Sequence, residues 1–182
     1  MSNAALRTFI AYVEDLPGVL NRVTSLLRRR NYNIVSLTVG RTEREGVSRM
    51  TIVLEADDDG ARRIEANLYK LVNVLWVQNT SDASTMAREL ALIKVRTTVV
   101  SRGEIMRLCE VFRARVVDVG PDALVAEITG AADKIDGLVD VLRPFGIAEM
   151  VRTGVVAMVR SAEASDGVPS SPSPSSGAAR AA

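Results

Sequence analysis

Leu6-Arg7-Thr8-Phe9-Ile10-Ala11-Tyr12-Val13-Glu14-Asp15-Leu16-Pro17-Gly18-Val19-Leu20 is the stretch on which the fold turns. Leu6–Val13 is a short apolar run of strand length, and Asp15, Pro17 and Gly18 stop it with turn chemistry. Val19, Leu20, Val23, Leu26 and Leu27 then recur at helical spacing, on a helix that closes near Arg30. Beyond it, Asn33–Thr42 alternates, with Val35, Leu37 and Val39 on one face. Glu45-Gly46 suits a turn, and Val47–Glu55 alternates again through Met50, Ile52 and Leu54. Asp57-Asp58-Asp59 places negative charge where a helix N-terminus favours it. Ile64, Leu68, Leu71 and Val72 mark that second helix, and Val74–Gln78 is a closing strand. The order is βαββαβ.

The order then repeats. The stretch from Asn79 is polar and small, and residues 80–88 read as a linker between a domain at 1–79 and another at 89–160. Glu89–Val99 is a strand. Ser101 and Glu104 have capping-box spacing for a helix carrying Ile105, Leu108 and Phe112. Arg115–Val119 and Leu124–Thr129 are strands around Gly120-Pro121-Asp122. Ile135, Leu138, Val139 and Leu142 form a helical stripe ended by Pro144 and Gly146, and Ile147–Val159 is a last strand, bent or bulged at Gly154. The fold class is therefore α+β: two tandem ferredoxin-like βαββαβ domains, each a four-stranded antiparallel sheet with two helices on one face. A sheet covered on one side leaves a face or an edge for a second copy. Residues 161–182 are Ser, Pro and Ala with few apolar anchors, and are expected to be disordered.

Composition narrows the chemistry. Among 182 residues there is no histidine, which removes the usual neutral-pH acid/base and the commonest metal ligand. Cys109 is the only cysteine, so no internal disulfide or Cys metal cluster is available. It falls in the stripe of Ile105, Leu108 and Phe112 and reads as a packed core thiol. A net charge of +1 and 4% aromatics give no footprint for nucleic acid or an anionic membrane. Trp76 and Tyr69 read as packing residues. No apolar run approaches the roughly 18 residues of a membrane span. Met1–Ala5 lacks the charged and apolar regions of a secretory signal, so a cytoplasmic protein is expected.

The first strand–helix junction holds the candidate chemistry. Gly18 permits close approach to the backbone, and Pro17 suits a helix's first turn. Free N–H groups of that turn favour an anion such as an amino-acid carboxylate. Asp15 is placed to cap the helix or to accept a hydrogen bond from a ligand ammonium; alone, Asp-x-Pro-Gly is also a common helix start. Asn33 both donates and accepts, as an amino acid requires, or else serves in the helix-stop turn, a role that suits Asn31 better. Arg28-Arg29-Arg30 opposes the helix dipole at the C-terminus, or meets an acidic patch on a partner.

Gly18-Val19-Leu20-Asn21-Arg22-Val23, Asn31-Tyr32-Asn33-Ile34-Val35-Ser36-Leu37-Thr38-Val39 and Ser48-Arg49-Met50-Thr51-Ile52-Val53 resemble the small-subunit family of acetolactate synthase (acetohydroxyacid synthase). Lys70–Val74, Arg88–Val95, Phe112-Arg113-Ala114, Val117-Asp118-Val119 and Arg152–Val156 continue the match in order, over about residues 6–160. The departures are the Ser/Pro tail and Asn31, where the family usually has glycine. The resemblance implies an N-terminal ACT domain that forms a homodimer and binds a branched-chain amino acid, chiefly valine, at the interface. Asp15, Leu16, Gly18, Val19 and Leu20 of one subunit would hold the ligand, with Asn33 and Ile34 from the other. It implies no catalytic residue, metal or cofactor in this chain. The partner would be the large catalytic subunit, carrying thiamine diphosphate, Mg and FAD, which the small subunit activates and makes sensitive to feedback.

Other classes with this topology fit less well. Acylphosphatase chemistry needs an arginine in the first loop, and Asp15–Gly18 has none. An RNA-recognition module needs aromatics on its central strand, and Ser48–Leu54 has none. The remaining alternatives are a free-standing ACT-type amino-acid sensor with a different partner and a purely structural dimer.

Overall fold

The computed structural model describes residues 5–81 and 84–161. The chain divides into two compact units, the second running from Met86 to Met158. The first contains β1 (Ala5–Glu14), α1 (Val19–Arg29), β2 (Ile34–Arg41), β3 (Val47–Ala56), α2 (Asp58–Leu68) and β4 (Val74–Asn79). Its sheet has the order β2-β3-β1-β4, all antiparallel, with Phe9 opposite Ile52. The predicted ferredoxin-like order is thus realised, and β2 and β4 are the free edges.

Alternation in the central strands decides which face the helices cover. Phe9, Ala11 and Val13 of β1 and Met50, Ile52 and Leu54 of β3 point to the helices and are buried. On α1 the buried stripe is Val19, Val23 and Leu27, one residue per turn. Leu20, expected in that stripe, is turned outward and 43% exposed. α2 contributes Ala61, Ile64 and Leu68, and Asp57 caps it by accepting the Gly60 N–H at 2.7 Å. Each fully buried Leu or Ile contributes about 1.5–3 kcal/mol.

Two local expectations on this unit are corrected. Of Val35, Leu37 and Val39, expected on one face, Leu37 and Val39 stay together opposite Ile52 and Met50, but a register shift between Ile34 and Ser36 makes Val35 the extra residue of a bulge. Ile34 and Leu37 pack on the core, whereas Val35 and Val39 are exposed. Pro17 sits in the turn before the helix rather than in its first turn, because Gly18 is the N-cap. At the other end of α1 the helix stop is Asn31, as the sequence suggests, at φ +60°. The Asn31 N–H reaches the Arg28 carbonyl and the Tyr32 N–H that of Leu27, the paired bonds of a Schellman stop.

The second unit contains β5 (Thr85–Arg96), α3 (Arg102–Val111), β6 (Arg115–Val119), β7 (Ala123–Gly130), α4 (Ala132–Leu142), a 3-10 turn (Arg143–Phe145), β8 (Ile147–Arg152) and β9 (Val156–Val159). The order is β6-β7-β5-β8, with β9 also on β5. The last strand breaks at Gly154, φ +79°, where a bend was expected. β5 starts at Thr85, so residues 85–88 are strand rather than linker. The expected disordered tail, Ser161 apart, falls outside the described residues. Cys109 is 1% exposed in the core of Ala91, Ile93, Val95, Ile105, Ile128 and Ile135, and burial pushes its thiol up from the ordinary value.

The capping box expected of Ser101 and Glu104 is displaced by three residues. Thr98 Oγ1 accepts the Ser101 N–H at 3.2 Å, and Ser101 Oγ accepts the Thr98 N–H at 2.9 Å. The Arg102 N–H donates to the Thr98 carbonyl at 3.1 Å, and Ser101 has helical φ and ψ. Residues 99–101 therefore lead into α3 as a first turn in which Thr98 takes the cap position and Ser101 the reciprocating one, while Ser101, directly before α3, makes no side-chain bond to it.

Candidate functional site

The β1–α1 loop is held from two sides. The Asp15 N–H donates to the Gly46 carbonyl at 2.8 Å, in the turn between β2 and β3. Ser48 Oγ donates to Asp15 Oδ1 at 3.2 Å, and Arg41 lies 3.4 Å from Oδ2. On the other side the Glu14 N–H donates to the Asn73 carbonyl at 2.9 Å. The carboxylate of Asp15 thus faces the hairpin and does not cap α1. No side chain caps that helix, whose N-cap is Gly18 at φ +84°. A Cβ placed on Gly18 would meet nothing within 4 Å, so the glycine serves its backbone angle and leaves open space above it.

Of the expected site residues, Asp15, Leu16, Gly18 and Leu20 are exposed at this loop, with Leu16 at 55%. Val19 is not: its side chain is 3% exposed and belongs to the core, so only its main chain is near the loop surface. Asp15 also lines a cavity of about 280 Å³ with Arg41, Arg44 and Gly46.

Asn33 and Ile34 lie elsewhere. They line an open groove of about 530 Å³ with Asn21, Thr24, Ser25, Arg28, Asn31 and Tyr32. Asp15 neighbours Arg41 at the end of β2, whereas Asn33 precedes its start. The two groups are at opposite ends of α1, whose 11 residues span about 16 Å at 1.5 Å each. Within one unit, no single amino acid reaches both. Sequence reasoning missed the polar stripe Asn21, Thr24, Ser25 and Arg28 that borders Asn33, although its i, i+3, i+4, i+7 spacing is visible in the sequence.

The second unit provides a built-in comparison. Its corresponding loop makes the same two main-chain bonds: Arg96 N–H to Gly146 O and Thr97 N–H to Asp122 O, both 2.9 Å. Its helix end, however, is closed by the Thr98 and Ser101 hydroxyls. An uncapped helix start preceded by a left-handed glycine occurs in the first unit, and there the positive helix end is open to an anion.

Comparison with known proteins decides the family. The sequence pattern described as an AHAS small subunit-like ACT domain matches residues 9–76, and that of the small subunit of acetolactate synthase matches residues 88–161. A probable acetolactate synthase small subunit of Archaeoglobus fulgidus is 48% identical over 153 residues, covering 84% of this chain and 96% of that one. The chain belongs to the acetolactate synthase small-subunit family. The acetolactate synthase small subunit of Mycolicibacterium smegmatis is 45% identical over 161 residues, 88% of this chain and 95% of its own. The crystal structure of the small subunit from Thermotoga maritima superposes with a TM-score of 0.80 at 38% identity, covering 86% of this chain and 98% of that one. Both ferredoxin-like units of the small subunit are therefore accounted for, and its first unit is an ACT domain.

Trp76 keeps the packing role expected of it, whereas Tyr69, expected to pack, is 48% exposed and is tied down by its hydroxyl instead. Trp76 stands edge-on to Tyr12 with centroids 5.6 Å apart, and the Tyr69 hydroxyl donates to the Val77 carbonyl at 2.9 Å. No helix among the described residues is long and apolar enough to cross a membrane.

Proposed function

We propose that this chain is the regulatory subunit of an acetolactate synthase: it raises the activity of a thiamine-diphosphate-dependent catalytic subunit and makes that activity sensitive to valine or another branched-chain amino acid. The ligand sits between two copies, its carboxylate on the uncapped start of α1 at Gly18 and its ammonium near Asp15. Asn33 and Ile34 come from the second copy. The observation that carries this reading is the separation of the two residue groups at opposite ends of α1, which one copy cannot bridge and an antiparallel pair of copies can. The names of the relatives supply the catalytic partner.

Inhibition requires that the ligand bind one arrangement of the paired domains more tightly than another, with a coupling of roughly 1–3 kcal/mol. The test is acetolactate formation by the cognate catalytic subunit alone, with this chain, and with this chain plus valine. Activation reversed by valine is the expected result. No activation would overturn the partner and favour a free-standing amino-acid sensor.

A further inference from the structure

Asn73 stands in the turn before β4 and is only 8% exposed. Besides its main-chain bond to Glu14, its side chain makes two more. Asn73 Nδ2 donates to Glu14 Oε2 at 2.6 Å, and Asn73 Oδ1 accepts from the Arg22 guanidinium. Arg22 in turn donates its main-chain N–H to the Gly18 carbonyl at 3.0 Å. One neutral amide thus joins an anion at the end of β1 to a cation in the first turns of α1, donating to one and accepting from the other. Between those anchors lie Asp15, Leu16, Pro17 and Gly18.

The fold does not require this bridge. In the second unit the residue that accepts the same strand-end N–H is Gly146, which has no side chain to offer. The main-chain bond suffices for the unit to close there. The extra polar linkage occurs in the unit whose helix start is open.

We infer that Asn73 is a positioning residue for the ligand loop: through Glu14 and Arg22 it fixes the angle at which the start of α1 presents its N–H groups to an amino-acid carboxylate. This rests on the ligand reading of the Asp15–Leu20 loop. Asn73 itself touches no ligand.

The test uses the full chain, valine titration by calorimetry, and amide hydrogen exchange of the 14–22 segment without ligand. Asn73→Leu keeps the number and branching of side-chain heavy atoms and removes both polar links. Asn73→Gln keeps a neutral amide with both the donor that Glu14 uses and the acceptor that Arg22 uses. Loss of charge-assisted links is expected to weaken valine binding about tenfold in Asn73→Leu and to speed exchange across residues 14–22 by a similar factor. Asn73→Gln is expected to stay within about threefold of the unmodified chain. Arg22→Ala, at an exposed helix position that leaves the core intact, is expected to match Asn73→Leu and to add nothing to it in the double variant.

Valine affinity and exchange unchanged in Asn73→Leu would overturn the inference, as would equal losses in the Leu and Gln variants, which would reduce Asn73 to a folding contact. Should the unmodified chain bind no valine, the ligand reading fails by itself. The exchange measurement then decides the positioning role: faster exchange in Asn73→Leu and Arg22→Ala sustains it, and unchanged exchange removes it.

Discussion

Gly18 concentrates the case for a ligand at the residue scale, because its left-handed φ and the empty space above it coincide with an uncapped helix end. A side chain there meets no atom, so the cost of substitution is backbone strain of about 1–2 kcal/mol, and less for Asn or Asp. Gly18→Asn and Gly18→Asp share shape and strain and differ in charge. The Asp carboxylate would compete with the ligand's own carboxylate for the same N–H groups. The valine concentration for half inhibition is expected to rise at least about tenfold in Gly18→Asp, equivalent to about 1.4 kcal/mol, and clearly less in Gly18→Asn. Equal valine responses in the two variants would remove the carboxylate from this loop. Cys109 is the opposite kind of residue, since burial, aided by the Glu110 carboxylate, disfavours its thiolate. The folded state holds a proton that the unfolded state releases above about pH 8.5. Stability attributable to this group is therefore complete below about pH 8.5 and is lost as pH rises towards the raised folded value, by at most about 1.4 kcal/mol per unit. Denaturant unfolding of the unmodified chain and Cys109→Ala should show a steeper alkaline decline in the former. Parallel declines would contradict it.

The ends of elements explain both what the sequence shows and what it hides. The hydroxyl pair Thr98 and Ser101 is the true box of α3, so Thr98→Ala is expected to cost about 1 kcal/mol of stability. Glu104→Gln touches only the helix dipole and should cost about 0.5 kcal/mol or less. Equal costs would restore Glu104 as the box partner. Ser101-x-x-Glu104 was misread because two overlapping frames, Thr98-x-x-Ser101 and Ser101-x-x-Glu104, both satisfy the motif. The choice between them depends on where β5 ends. Periodicity could not place that end, since Thr97, Thr98, Val99 and Val100 are all β-formers. The same ambiguity hid the bulge at Val35: perfect apolar alternation gives no sign that an edge strand has admitted an extra residue. Stops were clearer. Asn31 was legible because few side chains tolerate a left-handed turn. Arg113, at φ +52°, makes the same Schellman pair after α3, with its N–H to Glu110 and that of Ala114 to Cys109, and no residue preference announced it.

At the scale of the whole molecule, the repeat was legible because each copy has its own core, fed by alternating strands and one helical stripe per helix. What the sequence could not reveal is how differently the two copies treat the same loop. The links Asn73–Glu14, Asn73–Arg22 and Ser48–Asp15 bring together residues between 33 and 59 positions apart, beyond the reach of any local pattern. Those contacts divide the labour: the first unit has an open helix start held in a fixed frame, and the second has a closed one. A ligand that uses the open start should accordingly stabilise the first unit directly. At a valine concentration about 100 times the dissociation constant, the linkage gain is about 2.7 kcal/mol, which slows opening-limited amide exchange about a hundredfold. The expected pattern is slowed exchange in β1, α1 and β2, strongest at residues 14–22 and 33–37, with the core amides of β5, β7 and α4 much less affected. Exchange slowed chiefly in the second unit would move the ligand to that unit, and with it the reading of Gly18 and Asn33.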